Sequence, residues 1–314
     1  MKGNYAKAVL FSAVLALLLL SCKDTFHETS ELDTNSAPET DFTYKEIVGG
    51  VEITSYLGSE ISFTIPSRIN GAQVVSIGGY AFRQKQLTAI TIPNSVTNIG
   101  SNAFSNNQLS SVTIPNSVKV IGDEAFSSNQ LTNITIGNSV ATIGIQAFYN
   151  NQLTSVTLPN SVTVIGNNAF ASNQLTNITI PNSVAIIGRG VFYGNKLTSV
   201  TIPNSVTTIE GTAFISNQLT NVTIGNSVAT IGNQAFYNNQ LTSVTIPNSV
   251  KTIEEGAFSE NFLTVVSIGA NVSLGKFVFD GYYQPNTFDG VYAANSKSAG
   301  TYVRADVSSP WSKL

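Results

Sequence analysis

The chain has 314 residues, which is enough for one elongated domain or two compact ones and allows a buried core without disulfides. It carries 15 Lys and Arg against 18 Asp and Glu, a net charge of −3, and only 11% of its residues are charged. This composition excludes the basic surface of a nucleic-acid binder and the strong field that steers a charged partner.

Residues 1–22 have the features of a bacterial export signal. Lys2 and Lys7 give a positive start, and residues 8–20 form a mostly aliphatic run that is short for a bilayer span. The stretch ends in LLSC, which resembles the lipobox in which the cysteine becomes the lipidated first residue of the mature protein. Cys22 is the only cysteine, so its lipidation would leave no disulfide. An ordinary signal peptide with an unmodified cysteine is the alternative.

Residues 23–41 are rich in Asp, Glu, Thr and Ser and contain the only histidine, His27. This composition predicts a disordered tether. Acyl chains that contribute about 0.8 kcal/mol per buried CH₂ anchor a protein without a transmembrane helix. The expected location is the bacterial cell envelope, at the outer-membrane surface, with no membrane contact beyond the lipid anchor.

A 22-residue period dominates the rest of the chain. The stretches LTNITIGNSVATIGIQAFYNNQ (131–152) and LTNVTIGNSVATIGNQAFYNNQ (219–240) differ at two positions. When the recurring leucine is counted as position 1, apolar residues occupy positions 4, 6, 10, 13, 17 and 18. No unit alone has enough apolar residues for a core, so stacked units must share one interior. The recurring leucines are Leu87, Leu109, Leu131, Leu153, Leu175, Leu197, Leu219, Leu241 and Leu263.

Each unit is predicted to contain two strands and one turn. Positions 3–6 alternate between apolar residues and threonine, the period of a half-buried strand, and Pro or Gly at position 7 turns the chain. Positions 10–13 are predicted to be a second strand and positions 15–18 a single 3₁₀ or α turn that directs phenylalanine inward. Glycine at position 14 suggests a left-handed corner, although Glu210 and Glu254 there make it non-obligatory. Asparagine recurs at positions 8 and 21, and one row, with position 21 favoured, is expected to be a buried amide ladder.

The ends depart from this period, as solenoid ends must where they meet water. Residues 42–86 are predicted to form an amino-terminal cap with a hairpin and a first atypical repeat, and residues 87–279 the solenoid. Residues 280–314 are predicted to be a carboxy-terminal cap hairpin built on GVYAANSKSAGTYVR. The fold class is thus a β-rich solenoid with parallel strands, short convex strands and 3₁₀ or helical turns, capped at both ends.

The stretch SVTIPNSVTTIEGTAF and its copies closely resemble the repeats of BspA-like leucine-rich repeat proteins, over about residues 62–279. The resemblance implies a leucine-rich repeat solenoid. It also implies bacterial surface adhesion, through binding of host matrix proteins or aggregation with other bacteria, and it carries over no catalytic motif. A shared fold alone does not name a ligand.

Positions 2, 3 and 5 are predicted to line the concave sheet of this solenoid, and none of them is charged. About nine strands at ~4.8 Å spacing would give a platform on the order of 40 Å long. Such a surface suits glycans, extended peptides or another protein and is poorly suited to phosphate or metal; the alternative is that these residues are soluble strand formers without a ligand. The candidate binding residues are Thr132, Asn133, Thr135, Thr154, Ser155, Thr157, Thr176, Asn177, Thr179, Thr198, Ser199, Thr201, Thr220, Asn221 and Thr223.

Tyrosines form a second candidate site at position 19 of every second unit. Tyr149, Tyr193 and Tyr237 would lie about 10 Å apart along one flank. Tyrosine adds contact area at low entropic cost, which favours recognition. Partial packing over the phenylalanine row is the alternative.

Chemistry-bearing residues are scarce. The predicted solenoid and caps contain no His or Cys, which excludes catalytic triads, thiol nucleophiles and zinc sites built from them. The acid pairs 123–124 and 254–255 fall on the turn side, where they are expected to be solvated. We expect no enzyme activity, cofactor or metal.

The leading hypothesis is a lipid-anchored, adhesin-like protein that engages host matrix protein, glycan or other bacterial surfaces. Self-association into an envelope layer and, more remotely, ice binding are alternatives.

Overall fold

Each 22-residue repeat forms one coil of a stack in the computed structural model, which describes residues 36–281 and 287–314. We number the coils 1 to 8, starting at residues 87, 109, 131, 153, 175, 197, 219 and 241. Residues 37–314 form one unit, and its buried apolar residues make a continuous core through the coils and both ends. Cys22 and His27 lie outside the described residues.

A regular coil contains a first strand at positions 3–5 and a second strand at positions 12–13, and both pair in parallel with the same positions of a neighbouring coil. The two predicted strands are confirmed, although the second is shorter than positions 10–13. In coils 4 and 5 no first strand forms. The strands are β1 (Phe42–Ile47), β2 (Gly50–Tyr56), β3 (Ser62–Thr64), β4 (Arg68–Ile69), β5 (Ala72–Ile77), β6 (Ala89–Thr91), β7 (Asn98–Ile99), β8 (Ser111–Thr113), β9 (Val120–Ile121), β10 (Asn133–Thr135), β11 (Thr142–Ile143), β12 (Val164–Ile165), β13 (Ile186–Ile187), β14 (Ser199–Thr201), β15 (Thr208–Ile209), β16 (Asn221–Thr223), β17 (Thr230–Ile231), β18 (Ser243–Thr245), β19 (Thr252–Ile253), β20 (Val265–Ile268), β21 (Ser273–Leu274), β22 (Gly300–Val303) and β23 (Ser312–Lys313); helix α1 is Phe288–Ala294.

The second strands of the coils form two sheets, the first of which also includes strands of the amino-terminal cap. One is ordered β1-β2-β5-β7-β9-β11-β12, with β4 beside β5, and the other is ordered β13-β15-β17-β19-β21. The first strands pair only two by two along the coils, as β3 with β6, β8 with β10, β14 with β16 and β18 with β20. The break between β12 and β13 therefore falls between coils 4 and 5.

Phenylalanines at position 18 stack through the centre of the core. Neighbouring ring centroids lie between 4.9 and 6.1 Å apart, and the Phe126 and Phe148 rings, for example, are 5.5 Å apart and nearly parallel. Phe279 continues the stack 5.4 Å beyond Phe258 and completes the row. Like residues stack on like, and this closes an interior that no single coil closes alone.

The asparagine at position 21 is buried and bonds to the backbone of two coils. Asn151 Nδ2 donates to the carbonyls of Phe126 and Phe148 at 3.0 and 3.2 Å, and Oδ1 accepts from the Leu131 amide at 3.1 Å. Equivalent bonds recur in the other coils. The favoured position-21 ladder is confirmed, and the asparagines at position 8 are solvent-facing instead.

Left-handed backbone occurs at positions 16 and 20 and not at the position-14 glycine. In coil 3 these residues are Gln146 and Asn150, with φ of 54° and 55°. A Cβ on Gly144 would lie 2.5 Å from the Asp123 nitrogen of coil 2, so glycine is needed there for space. The expected left-handed corner at position 14 is therefore wrong. The turn at positions 15–18 is an i→i+3 turn rather than a helix, since the Ala147 amide donates to the Gly144 carbonyl at 3.3 Å.

The amino-terminal cap begins earlier than the sequence suggested. Ala37 is buried, its amide donates to the Thr64 carbonyl at 3.2 Å, and a 3₁₀ turn covers Glu39–Asp41. Residues 37–41, expected in the tether, thus belong to the folded unit, whereas residues 23–35 lie outside the described ones. β1 and β2 pair antiparallel and form the expected hairpin.

The carboxy-terminal cap differs from the predicted hairpin over 290–304. Phe288 and Tyr292 are spaced one helical turn apart and both are buried, which places α1 where a strand was expected. β22 then pairs antiparallel with β20, and β23 pairs with β22. In the same cap, the buried Asp280 Oδ1 accepts from Arg304 Nη1 at 3.1 Å and from Trp311 Nε1 at 2.8 Å. Burial lowers the pKa of the Arg304 guanidinium, and Asp280 opposes this shift.

Candidate functional site

The fifteen residues singled out at positions 2, 3 and 5 all lie exposed on one side of the coils. We call this surface the strand face. Asn133 and Thr135 point outward in coil 3, while Ile134 between them is buried, as the two-residue period of a strand requires. The sequence pattern therefore placed these side chains correctly, and their role in binding is a separate question.

Glycine at position 7 accompanies most of the first-strand pairs, although β3 pairs with β6 in a coil that carries Pro93 there. In three of the four pairs the second coil carries glycine there, at Gly137, Gly225 or Gly269. A Cβ on Gly137 would overlap the Pro115 carbonyl of the preceding coil, so only glycine allows this approach. Coils 4 and 5 carry proline, and their strand-face backbone does not form a ladder. The strand face is consequently a series of paired strands with an open region in the middle.

Two depressions lie on the strand face, and the larger of them begins at this open region. One, of about 720 Å³, spans coils 5 to 7, and the other, of about 370 Å³, spans coils 7 and 8. No charged residue lines either. Asn204 and Asn226 at position 8 border both the turn and the larger depression, a role that the sequence reasoning missed. Asparagine recurs at position 8 beside an exposed turn, and this pattern could have predicted that its side chains border the strand face.

The tyrosine flank is partly packed and partly available. Tyr193 is 42% exposed, while Tyr149 and Tyr237 are half-buried. The intervening position-19 residues are the buried Ala171 and the half-buried Ile215. Packing therefore accounts for part of the tyrosine flank, and Tyr193 is its most accessible member.

One acidic residue of each turn-side pair accepts a hydrogen bond from a backbone amide. Asp123 Oδ1 accepts from the Ile145 amide at 2.7 Å, and Glu254 Oε2 accepts from the Asn233 amide at 2.8 Å. Across residues 36–281 and 287–314 no group of three or more His, Cys, Asp or Glu side chains is placed to hold a metal ion. In the same ranges no helix has the length and apolar character needed to cross a bilayer.

Stacked 22-residue coils with parallel strands, a shared phenylalanine spine and an asparagine ladder define a leucine-rich repeat solenoid. A family model described as the BspA type leucine rich repeat region matches residues 59–174 and 163–284, in six copies. Since these ranges cover well over half of the chain, the protein belongs to the BspA-type leucine-rich repeat family. This class of fold is typically a binding scaffold and not an enzyme.

Two solved structures show the same architecture. A leucine-rich repeat protein from Bacteroides ovatus ATCC 8483 is 29% identical, with a TM-score of 0.65, and the match covers 76% of this chain and 67% of that one. The pneumococcal vaccine antigen PcpA is 22% identical, with a TM-score of 0.51 over 76% of this chain and 74% of that one, and is similar in fold alone. A comparison with curated proteins finds no match.

Proposed function

We propose that this protein is an adhesin-like binding protein of the bacterial surface, and that its strand face engages a neutral polar macromolecule. Host matrix proteins, glycans and the surfaces of other bacteria are the partners of this kind. One observation carries the proposal: all fifteen hydroxyl and amide side chains of the strand face are exposed, and no charge interrupts them.

The strand face offers hydroxyl or amide groups at positions 2, 3 and 5 in each of coils 2 to 8. Some position-2 hydroxyls are held by the preceding coil, as where Thr132 Oγ1 donates to the Ser110 carbonyl at 3.3 Å and Thr220 Oγ1 to the Thr198 carbonyl at 3.2 Å. Their remaining lone pairs can accept from a ligand. Repetition along the stack favours many weak contacts with an extended partner over one deep pocket. Because the surface is neutral, we expect binding that changes little with salt.

The test is a binding assay with residues 37–314, which contain the whole described core and both caps. The protein is applied to immobilised matrix proteins, a glycan array and whole bacteria. The triple variant Thr135→Lys, Thr179→Lys and Thr223→Lys should lose at least tenfold in affinity, because it puts unpaired charges where a neutral partner must desolvate them. All three side chains are exposed, so the fold should persist.

A matched control places lysines on the opposite surface. Thr97→Lys with Thr207→Lys adds charge at position 11, where Lys119 and Lys251 already occur, and should leave the affinity of a single strand face unchanged. Binding that survives the strand-face variant but is lost with Tyr149→Ser, Tyr193→Ser and Tyr237→Ser would move the site to the tyrosine flank. Failure to bind anything in the panel would contradict the adhesive role itself.

The lipid anchor at Cys22 is part of the proposal and rests on the LLSC sequence after the aliphatic run. Cells fed a labelled fatty acid should incorporate it into the wild-type chain and not into Cys22→Ser, and the variant should leave the membrane fraction. Labelling that persists in Cys22→Ser would overturn the assignment.

A further inference from the structure

Exposed aliphatic side chains cluster on the surface opposite the strand face. We call this surface, formed by positions 11, 12, 14 and 15, the second-strand face. Val120, Ile145, Val164 and Ile186 lie on it in four consecutive coils, coils 2 to 5, and are 37%, 46%, 51% and 51% exposed. Contiguous exposed apolar surface marks an interaction site more often than scattered single residues do.

The fold does not require aliphatic residues at these places. Position 12 is threonine in coils 3, 6, 7 and 8, and the same two-residue strand forms there in the same register. Threonine is β-branched like valine and isoleucine, so it satisfies the strand equally well. Folding of the coil therefore does not require the valine or isoleucine at position 12 of coils 2, 4 and 5, and these residues instead set the character of the surface.

In coils 2 and 8, charged residues of opposite sign occupy positions 11 and 15 of the second-strand face, which also carries Arg189, Glu210 and Glu254. Lys119 occupies position 11 of coil 2, and Asp123 occupies position 15 of the same coil. Lys251 and Glu255 stand in the same relation in coil 8. In the described part of the chain neither lysine forms an ion pair, because the second strand lies between the two positions.

We infer that the second-strand face binds a second copy of this chain, about a two-fold axis that runs along the stacking direction. This axis sets position 11 of each coil opposite position 15 of the same coil in the partner. Lys119 then faces the partner's Asp123, and Ile145 faces the partner's Ala141. In coils 4 and 5 position 12 faces a glycine at position 14, Gly166 or Gly188, so Val164 and Ile186 fit above residues without side chains.

The other face-to-face arrangement is less favourable. A two-fold axis along the strands reverses the order of the coils, and centred on coil 5 it would oppose Lys119 to Lys251. Coils 2 to 8 span about 34 Å and positions 11–15 about 15 Å, which gives on the order of 500 Å² per copy. Interfaces of about 1,000 Å² in total are at the weak end, so the dimer should be reversible and micromolar or weaker. Both strand faces would point outward, which would make the dimer bivalent.

Sedimentation equilibrium of residues 37–314, from about 5 to 500 µM, tests the inference. We expect a monomer–dimer equilibrium that weakens at least tenfold in Val164→Thr with Ile186→Thr. Threonine occurs naturally at this position in other coils, so these variants should fold, and unchanged circular dichroism would establish that. Lys119→Glu should also weaken the dimer, and adding Asp123→Lys should restore it.

The strand-face substitution Thr157→Ser serves as the control and should leave the dimer unchanged. A monomer at every concentration would overturn the inference, as would a dimer that ignores both the threonine and the charge substitutions. Loss of the dimer without loss of ligand binding would leave the proposed strand-face function standing, because the two surfaces are on opposite sides of the coils.

Discussion

Coils 2 and 3 are joined on every side, whereas coils 4 and 5 are joined mainly along their turns. Between coils 2 and 3 both ladders form, β8 with β10 and β9 with β11. Between coils 4 and 5 neither forms, and β12 and β13 belong to different sheets. The Phe170 and Phe192 rings lie 6.1 Å apart, the widest step in the described coils, against 5.5 Å for Phe126 and Phe148.

Besides the prolines at position 7, one buried residue distinguishes this junction. Position 17 is alanine in coils 1 to 4 and 6 to 8, including Ala147 of coil 3, but it is Val191 in coil 5. Val191 is fully buried, and its Cγ2 lies 3.4 Å from where a Cβ on Gly188 would stand. Two extra carbons in a close-packed corner force the neighbouring coils apart. The least regular junction is therefore expected to limit the stability of the stacked coils.

The largest expected effect is the loss of an asparagine that still bridges the loose junction. Asn195 Nδ2 donates to the Phe170 carbonyl of coil 4 at 3.0 Å, and Oδ1 accepts from the Leu175 amide at 3.0 Å. Asn195→Ala should cost about 3 kcal/mol, because buried backbone groups lose their partners. Urea unfolding should split into two steps as the halves uncouple. Asn182→Ala, at an exposed position of the same coil, is the control; equal losses in both would contradict this role.

A valine added to the tight junction should reproduce the loose one. Ala147→Val in coil 3 should destabilise the protein by about 1–3 kcal/mol through overpacking. Hydrogen exchange of the Gly144 amide, which now donates to the Ile121 carbonyl at 2.8 Å, should become faster. Unchanged protection of Gly144 would show that position 17 does not set the spacing.

The smallest change in global stability is expected when the loose junction is closed. Val191→Ala loses two buried carbons, at ~0.8 kcal/mol each, and regains backbone hydrogen bonds that offset most of this. The amides of Ala185 and Gly188 should exchange at least tenfold more slowly, while the free energy of unfolding changes by less than about 1 kcal/mol. Val184→Ala removes the same volume away from the corner and should destabilise the protein without slowing either amide.

Much of the coil was predictable because its determinants lie within 22 residues. Alternation around Ile134 predicted a strand with one buried face, and the recurrence of Asn151 and its equivalents predicted an amide ladder. The left-handed positions were misplaced because Gly144 was read as a turn residue, when its constraint is contact with coil 2. Helix α1 was missed because its buried pair, Phe288 and Tyr292, spans only one turn.

The sequence by itself determined the period, the burial of each position and the neutral strand face, because these depend on which residue types recur every 22 positions. Only the tertiary structure decided how far apart the coils lie, which first strands pair, and that Val164 and Ile186 stand uncovered beside a break between two sheets. Those features depend on the combined sizes of side chains from two different coils. A local sequence pattern shows which side chains each coil supplies, but it does not show the distance at which two coils pack.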